Sequence, residues 1–61
     1  MKIGNTFKTR EGKTVTVIEF CSDETHPVVC LDGKKKFQKY TREGRYISNA
    51  INHKHDLVEK L

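Results

Sequence analysis

The residues with the clearest chemical potential form a basic stretch in the second half of the chain. Aromatic rings at Tyr40 and Tyr46 lie within this stretch and could stack on unpaired bases. Long cationic side chains can follow a phosphate backbone, so the pattern predicts a nucleic-acid-binding site. Lysines on an edge strand also prevent aggregation, and the sequence favours neither interpretation. The cations are Lys34, Lys35, Lys36, Lys39, Arg42 and Arg45.

The charge distribution points to a polyanionic partner. Residues 34–61 hold eight basic and three acidic side chains, a net charge of +5, within a chain whose formal net charge is +4. Such asymmetry is typical of proteins that meet nucleic acids or acidic surfaces. No recognition-helix or zinc-finger pattern is present, so we expect phosphate contacts rather than base-specific readout. The pattern does not distinguish DNA from RNA.

Cysteine and histidine do not form a recognisable metal motif. The spacings Cys21-x4-His26-x3-Cys30 and His53-x-His55 lack the tight cysteine pair of structural zinc sites. We therefore predict no metal and no cofactor. Both cysteines lie in apolar strand contexts, where we expect structural thiols in a reducing compartment.

Catalysis and membrane insertion are not expected. The chain has no nucleophile turn with a Ser/His/Asp grouping, no phosphate-binding glycine loop and no paired carboxylates in an apolar setting. No apolar run approaches the roughly 18 residues of a membrane span. The N-terminus lacks the apolar stretch of a signal peptide, so we predict a non-enzymatic cytoplasmic protein.

Predicted β-strands position the basic stretch. Residues 14–20 are the strongest strand, because five of the seven are β-branched. The alternation of apolar and polar residues breaks at Val17-Ile18, which predicts a bend or bulge. Asp32-Gly33 is typical of a two-residue hairpin turn. Further strands are predicted over residues 3–8, 26–31, 34–40 and, briefly, 46–47.

Two similar turns lie between these predicted strands. Residues 9–13 and 41–45 both begin Thr-Arg-Glu-Gly, with Gly12 expected at a positive φ. The residues that follow the two turns do not match. We therefore interpret the likeness as coincidence rather than as an internal repeat.

The C-terminal segment has a different pattern. Apolar residues between Ile47 and Leu61 lie roughly at helical spacing, and Ser48 or Asn49 could cap a helix. We predict an amphipathic helix over residues 49–60. An exposed part of its apolar face could dock on a partner or a second copy, which leaves monomer and homodimer open. The alternative is that these side chains complete the core. They are Leu57, Val58 and Leu61.

The first half of the chain resembles a small module of bacteriophage proteins. The resemblance rests on Gly4-x-x-Phe7-x-Thr9, then residues 15–20 as Val-x-Val-Ile-Glu-aromatic, then Asp32-Gly33. It covers residues 3–33 well and 34–47 loosely. Phe20 and Leu31 stand where the module usually has Tyr and Phe, and residues 48–61 replace its glycine-rich end. The resemblance implies a small SH3-like β-barrel and carries no catalytic residues.

These inferences combine into one expectation. We predict a mainly β, SH3-like antiparallel barrel of four or five strands over residues 1–47, with a C-terminal α-helix over residues 48–61, in one domain. The function predicted is that of a small phage protein that binds DNA or RNA. The alternative is a phage-encoded inhibitor or modulator that binds a host protein such as RNA polymerase, a nuclease or a defence complex. Expected core residues are Phe7, Val15, Val17, Ile18, Phe20, Val29, Leu31, Phe37, Ile47, Ile51 and Val58.

Overall fold

Alternating β-branched residues and tight turns build one open antiparallel sheet. A computed structural model describes residues 1–47 and 52–61, and neither range contains a helix. The five strands pair in the order β4-β3-β2-β1-β5, and every pairing is antiparallel. The prediction of a mainly β chain is confirmed. The strands are β1 (Thr6–Thr9), β2 (Thr14–Phe20), β3 (Val28–Asp32), β4 (Phe37–Tyr40) and β5 (Leu57–Lys60).

The central strand, β2, bends where its sequence alternation breaks. Val17 pairs with Cys30 of β3, whereas the next pair joins Glu19 to Val29. Ile18 is therefore the extra residue of a β-bulge, and the predicted bend at this position is confirmed.

One face of the sheet, here called the core face, carries the hydrophobic core. Its buried members include Tyr40, which is 1% exposed, and Cys30, and neither was expected there. The register of the strands brings both residues into the core, because Tyr40 lies opposite Val28 and Cys30 lies opposite Val17. The remaining members are Val15, Val17 and Val28, with Phe7, Tyr46 and Leu57 packed against them.

Several predicted core residues are exposed instead. Phe37 is 69% exposed because it points away from the core face, and Val58 is 49% exposed on an edge strand. Ile18 and Leu31 are half-buried, whereas Val29 is buried. Ile51 lies outside the described residues. The remaining exposed members of the predicted core are Phe20 and Ile47.

The predicted C-terminal helix is wrong over residues 52–60. A tight turn, in which the Asp56 N–H donates to the His53 carbonyl at 3.0 Å, leads into β5. β5 then pairs with β1, so that Leu57 lies opposite Thr9. This pairing satisfies backbone groups along an edge of β1 that would otherwise stay open. The predicted helix cap at residues 48–49 lies outside the described residues.

The expected closed barrel is not supported either, because β4 and β5 are the two edges of the open sheet. The segment after β4 reaches β5 through a backbone hydrogen bond of 2.9 Å from Leu57 to Gly44. The strand predicted at Tyr46-Ile47 is a bend. The Tyr46 N–H donates to Oδ1 of Asp56 at 2.8 Å, which takes the place of a strand partner.

Three connections share one five-residue turn: turn A (residues 9–13), turn B (residues 32–36) and turn C (residues 41–45). In each, the first residue's N–H donates to the fifth residue's carbonyl, and the fourth residue's N–H donates to the first residue's carbonyl. The first side chain, Thr9, Asp32 or Thr41, accepts from the fifth N–H at 3.1, 2.9 and 3.0 Å respectively. The similar Thr-Arg-Glu-Gly sequences of turns A and C therefore have the same local structure.

The fourth residue of each turn has a positive φ. Gly12 and Gly44 take this position at 92° and 88°, as expected for Gly12, and Lys35 takes it in turn B at 62°. The two-residue turn predicted at Asp32-Gly33 is therefore wrong. The loop spans residues 33–36, because Oδ1 of Asp32 accepts hydrogen bonds from both Lys34 and Lys36 at 2.9 Å.

Candidate nucleic-acid-binding surface

Turn B presents three consecutive lysines to solvent. Lys34, Lys35 and Lys36 are all exposed, and the turn beneath them is held by the Asp32 carboxylate. The hydrogen bond from the Lys36 N–H, followed by that from Lys34 and by the nearby charges of Lys36 and Lys13, lowers the pKa of Asp32. The carboxylate thus stays ionised near the three cations, and its hydrogen bonds hold the backbone of the turn in place.

Strand β4 extends this surface along one edge of the sheet. Lys39 is exposed and lies opposite Val29, and Phe37 lies opposite Leu31. Because side chains alternate along a strand, Phe37 and Lys39 share the face opposite the core, here called the outer face. Tyr40 points to the core face.

The two predicted stacking tyrosines are engaged inside the protein. Tyr40 is 1% exposed, so its ring cannot contact a base, and its role is packing instead of the predicted stacking. Burial is also the main cause that raises the pKa of its hydroxyl. Tyr46 is half-buried and meets Tyr40 edge-on, with ring centroids 5.8 Å apart. His53 stacks on Tyr46 at 5.1 Å and His55 meets it edge-on at 4.9 Å, so this ring is surrounded too.

The predicted arginines lie at the other end of β4. Arg42 and Arg45 are exposed in turn C, which follows the strand, whereas turn B precedes it. Arg45 lines an open groove of about 500 Å³ together with Glu24 and Glu43. These carboxylates offset positive charge there. The predicted basic stretch is therefore divided into a lysine region at turn B and a mixed-charge region at turn C.

A groove beside turn B adds a cation that sequence analysis missed. The groove has a volume of about 240 Å³ and lies between Lys13-Thr14 and residues 32–34. Lys13 reaches this position because Val15 pairs with Asp32, which brings the start of β2 beside the end of β3. The antiparallel pairing of two predicted strands was the signal that could have found it.

The alternative apolar site lies on an edge strand instead of a helix. Leu57 is half-buried against the core, and its side chain also lies close to Gly44. Val58 and Leu61 are 49% and 59% exposed at the β5 end of the sheet. Only part of the predicted set is therefore available to a partner.

The three histidines gather around Tyr46, although His26 lies far from it in the sequence. Nε2 of His26 lies 2.9 Å from the Tyr46 carbonyl oxygen, and Nδ1 of His55 lies 2.7 Å from Oε1 of Glu11. Buried Asp56 accepts from the N–H of Tyr46 at 2.8 Å and of His53 at 3.1 Å. This arrangement closes the end of the core, and no local sequence pattern indicated it.

The thiols and carboxylates show no arrangement for metal binding in the described ranges. No group of three or more His, Cys, Asp or Glu side chains there is placed to hold an ion. Cys21 and Cys30 are both free thiols. Burial raises the pKa of Cys30 to about 11, which disfavours the reactive thiolate.

Comparison with protein-family models, curated proteins and solved structures gives no match. The likeness to a phage module accordingly stays a prediction. Across residues 1–47 and 52–61, no helix has the length and apolar character needed to cross a membrane.

Proposed function

We propose that this protein is a non-enzymatic nucleic-acid-binding module whose contact surface is centred on turn B. The observation that carries the proposal is the row of three exposed lysines on a turn braced by Asp32. Lys39 continues the row along β4, and Lys13 lies across the adjacent groove. Cations placed in this way neutralise phosphates without reading base edges.

The backbone of Lys35 supports a role for the lysines beyond solubility. Turns A and C use glycine at the equivalent position, whereas Lys35 adopts a φ of 62°. A left-handed conformation costs an ordinary residue roughly 1–2 kcal/mol. Turn B therefore accepts local strain at the position that supplies its middle cation, a pattern that is common at functional sites.

Salt dependence tests the proposal. We expect labelled DNA or RNA oligonucleotides to bind at low salt, with fluorescence anisotropy as the readout. The logarithm of the binding constant should fall linearly with the logarithm of salt concentration, because phosphate contacts release counterions. Lysines that only block edge-to-edge aggregation would give no such binding. Absence of binding to either polymer at low salt would contradict the proposal.

A second candidate is a phage-encoded modulator of a host protein in the bacterial cytoplasm. Exposed Val58 and Leu61 at the β5 end of the sheet favour it, because an edge strand with apolar side chains can receive a partner. The phage origin rests on the sequence resemblance. Pull-down from nuclease-treated bacterial lysate separates the two candidates. One stoichiometric host protein supports the modulator, and loss of all partners after nuclease treatment supports the nucleic-acid module.

A further inference from the structure

Phe37 is the most exposed large hydrophobic side chain in the described residues, at 69%. Phenylalanine is usually buried, and this one lies next to the lysines of turn B. We infer that the ligand is single-stranded nucleic acid and that Phe37 is the residue on which a base stacks. The inference rests on the proposed function, because it names the ligand class of the same surface.

The register of the sheet places Phe37 on an accessible row of the outer face. Phe37 lies opposite Leu31, Leu31 opposite Thr16, and Thr16 opposite Thr6. The row thus crosses four strands, and its side chains become smaller from Phe37 to the two threonines. Leu31 beside Phe37 is half-buried, and only the smaller Thr16 and Thr6 follow it across the row, so the ring of Phe37 stays accessible on this face.

Cations lie on both sides of the ring along the chain. Lys36 immediately precedes Phe37, and Lys39 follows on the same face, about 7 Å further along the strand. Glu19 lies in the same cross-strand row as Lys39, two strands away. The carboxylate disfavours a path across the sheet. A polyanion is therefore guided along β4 toward turn B, and this path passes Phe37.

An unpaired base fits this surface better than a duplex does. Bases in a duplex already stack on one another, whereas unpaired bases can stack on an aromatic side chain between phosphate contacts. The described residues include no helix to enter a major groove. A strand with one exposed ring and flanking lysines resembles the stacking platforms of proteins that bind single strands.

The test compares a labelled oligothymidylate with a duplex of equal length, using wild type, Phe37→Leu and Phe37→Trp. Wild type should bind the single strand more tightly than the duplex. Phe37→Leu should lower single-strand affinity roughly 5- to 150-fold without changing the salt slope, because no charge is removed. Phe37→Trp should keep the affinity, and its fluorescence should be quenched on binding.

Phe20→Leu is the matched control, because Phe20 is also exposed, at 42%, but lies opposite Val28 away from turn B. It should leave affinity unchanged. Equal binding of single strand and duplex, with Phe37→Leu indistinguishable from wild type, would overturn the inference and leave the proposed function standing. Absence of binding to either polymer at low salt would overturn both.

Discussion

The lysine at position 35 adopts a backbone conformation that glycine provides in the two equivalent turns. Its φ is 62°, against 92° for Gly12 and 88° for Gly44. The Asp32 side chain, through its bonds to the N–H groups of Lys34 and Lys36, sets the turn and leaves Lys35 at the strained position. The Asp32 side chain thus places Lys35 at the position with the left-handed backbone conformation.

Replacing this lysine with glycine should stabilise the fold. We expect Lys35→Gly to raise the free energy of unfolding by about 1 kcal/mol, since glycine relieves the left-handed strain. For a domain of this size that corresponds to roughly 4–8 °C in Tm. Thermal unfolding followed by circular dichroism measures the change. Lys34→Gly removes the same charge without relieving strain, so an equal rise in both variants would contradict this explanation.

The aromatic residues of β4 show that the sequence alone did not predict which face of the strand each side chain occupies. Phe37 was expected in the core and Tyr40 at the nucleic-acid-binding surface, but Phe37 is exposed and Tyr40 is buried. The two positions are three apart on one strand, so their side chains point to opposite faces. The register with β3 places Tyr40 opposite Val28 and turns Phe37 outward. That register depends on the length of turn B, which the Asp32-Gly33 pattern predicted wrongly.

The β3–β4 hairpin depends on one carboxylate at its loop. Asp32 accepts two backbone hydrogen bonds there, and its pKa is lowered chiefly by the bond from Lys36. An ionised Asp32 stabilises turn B at pH values above the unfolded-chain pKa, near 3.9. That stabilisation is lost as the pH falls through the lowered folded pKa.

An NMR titration should reveal this linkage. We expect the Asp32 carboxyl to titrate with a midpoint below about 3.9, with the Lys34 and Lys36 amide protons shifting at the same midpoint. Asp32→Asn keeps an acceptor oxygen and should remove the titration from both amides. A midpoint at or above the unfolded value would show that the two bonds do not hold the charged carboxylate.

The C-terminal strand shows a second limit of local patterns. Apolar residues near helical spacing predicted a helix, but β5 forms because β1 offers an open edge far away in the sequence. Buried Asp56 fixes the entry to β5 through the N–H groups of Tyr46 and His53. Neither the pairing of the chain ends nor a buried carboxylate has a short-range signature.

At the scale of the molecule, strands β1 to β4 were predictable from the sequence, whereas the pairing of β5 with β1 was not. The β2 bulge at Ile18 and the antiparallel hairpins follow from local alternation and turn residues. Long-range pairing makes β4 and β5 the edge strands of the sheet. It also places the two parts of the predicted basic stretch at opposite ends of β4. Lysines gather at turn B, whereas Arg45 shares its groove with Glu24 and Glu43. The proposed binding surface is thus one end of the sheet.

Salt titration of two charge-matched variants tests this placement. One replaces Lys34, Lys35 and Lys36 with glutamine, and the other replaces Lys2, Lys54 and Lys60, which are exposed elsewhere. Both lose the same net charge. The turn B variant should bind oligonucleotides far more weakly, with a log–log salt slope shallower by roughly 2–3, and the other variant should retain most of the wild-type slope. Equal losses in the two variants, or an unchanged slope without the turn B lysines, would contradict a binding surface at turn B.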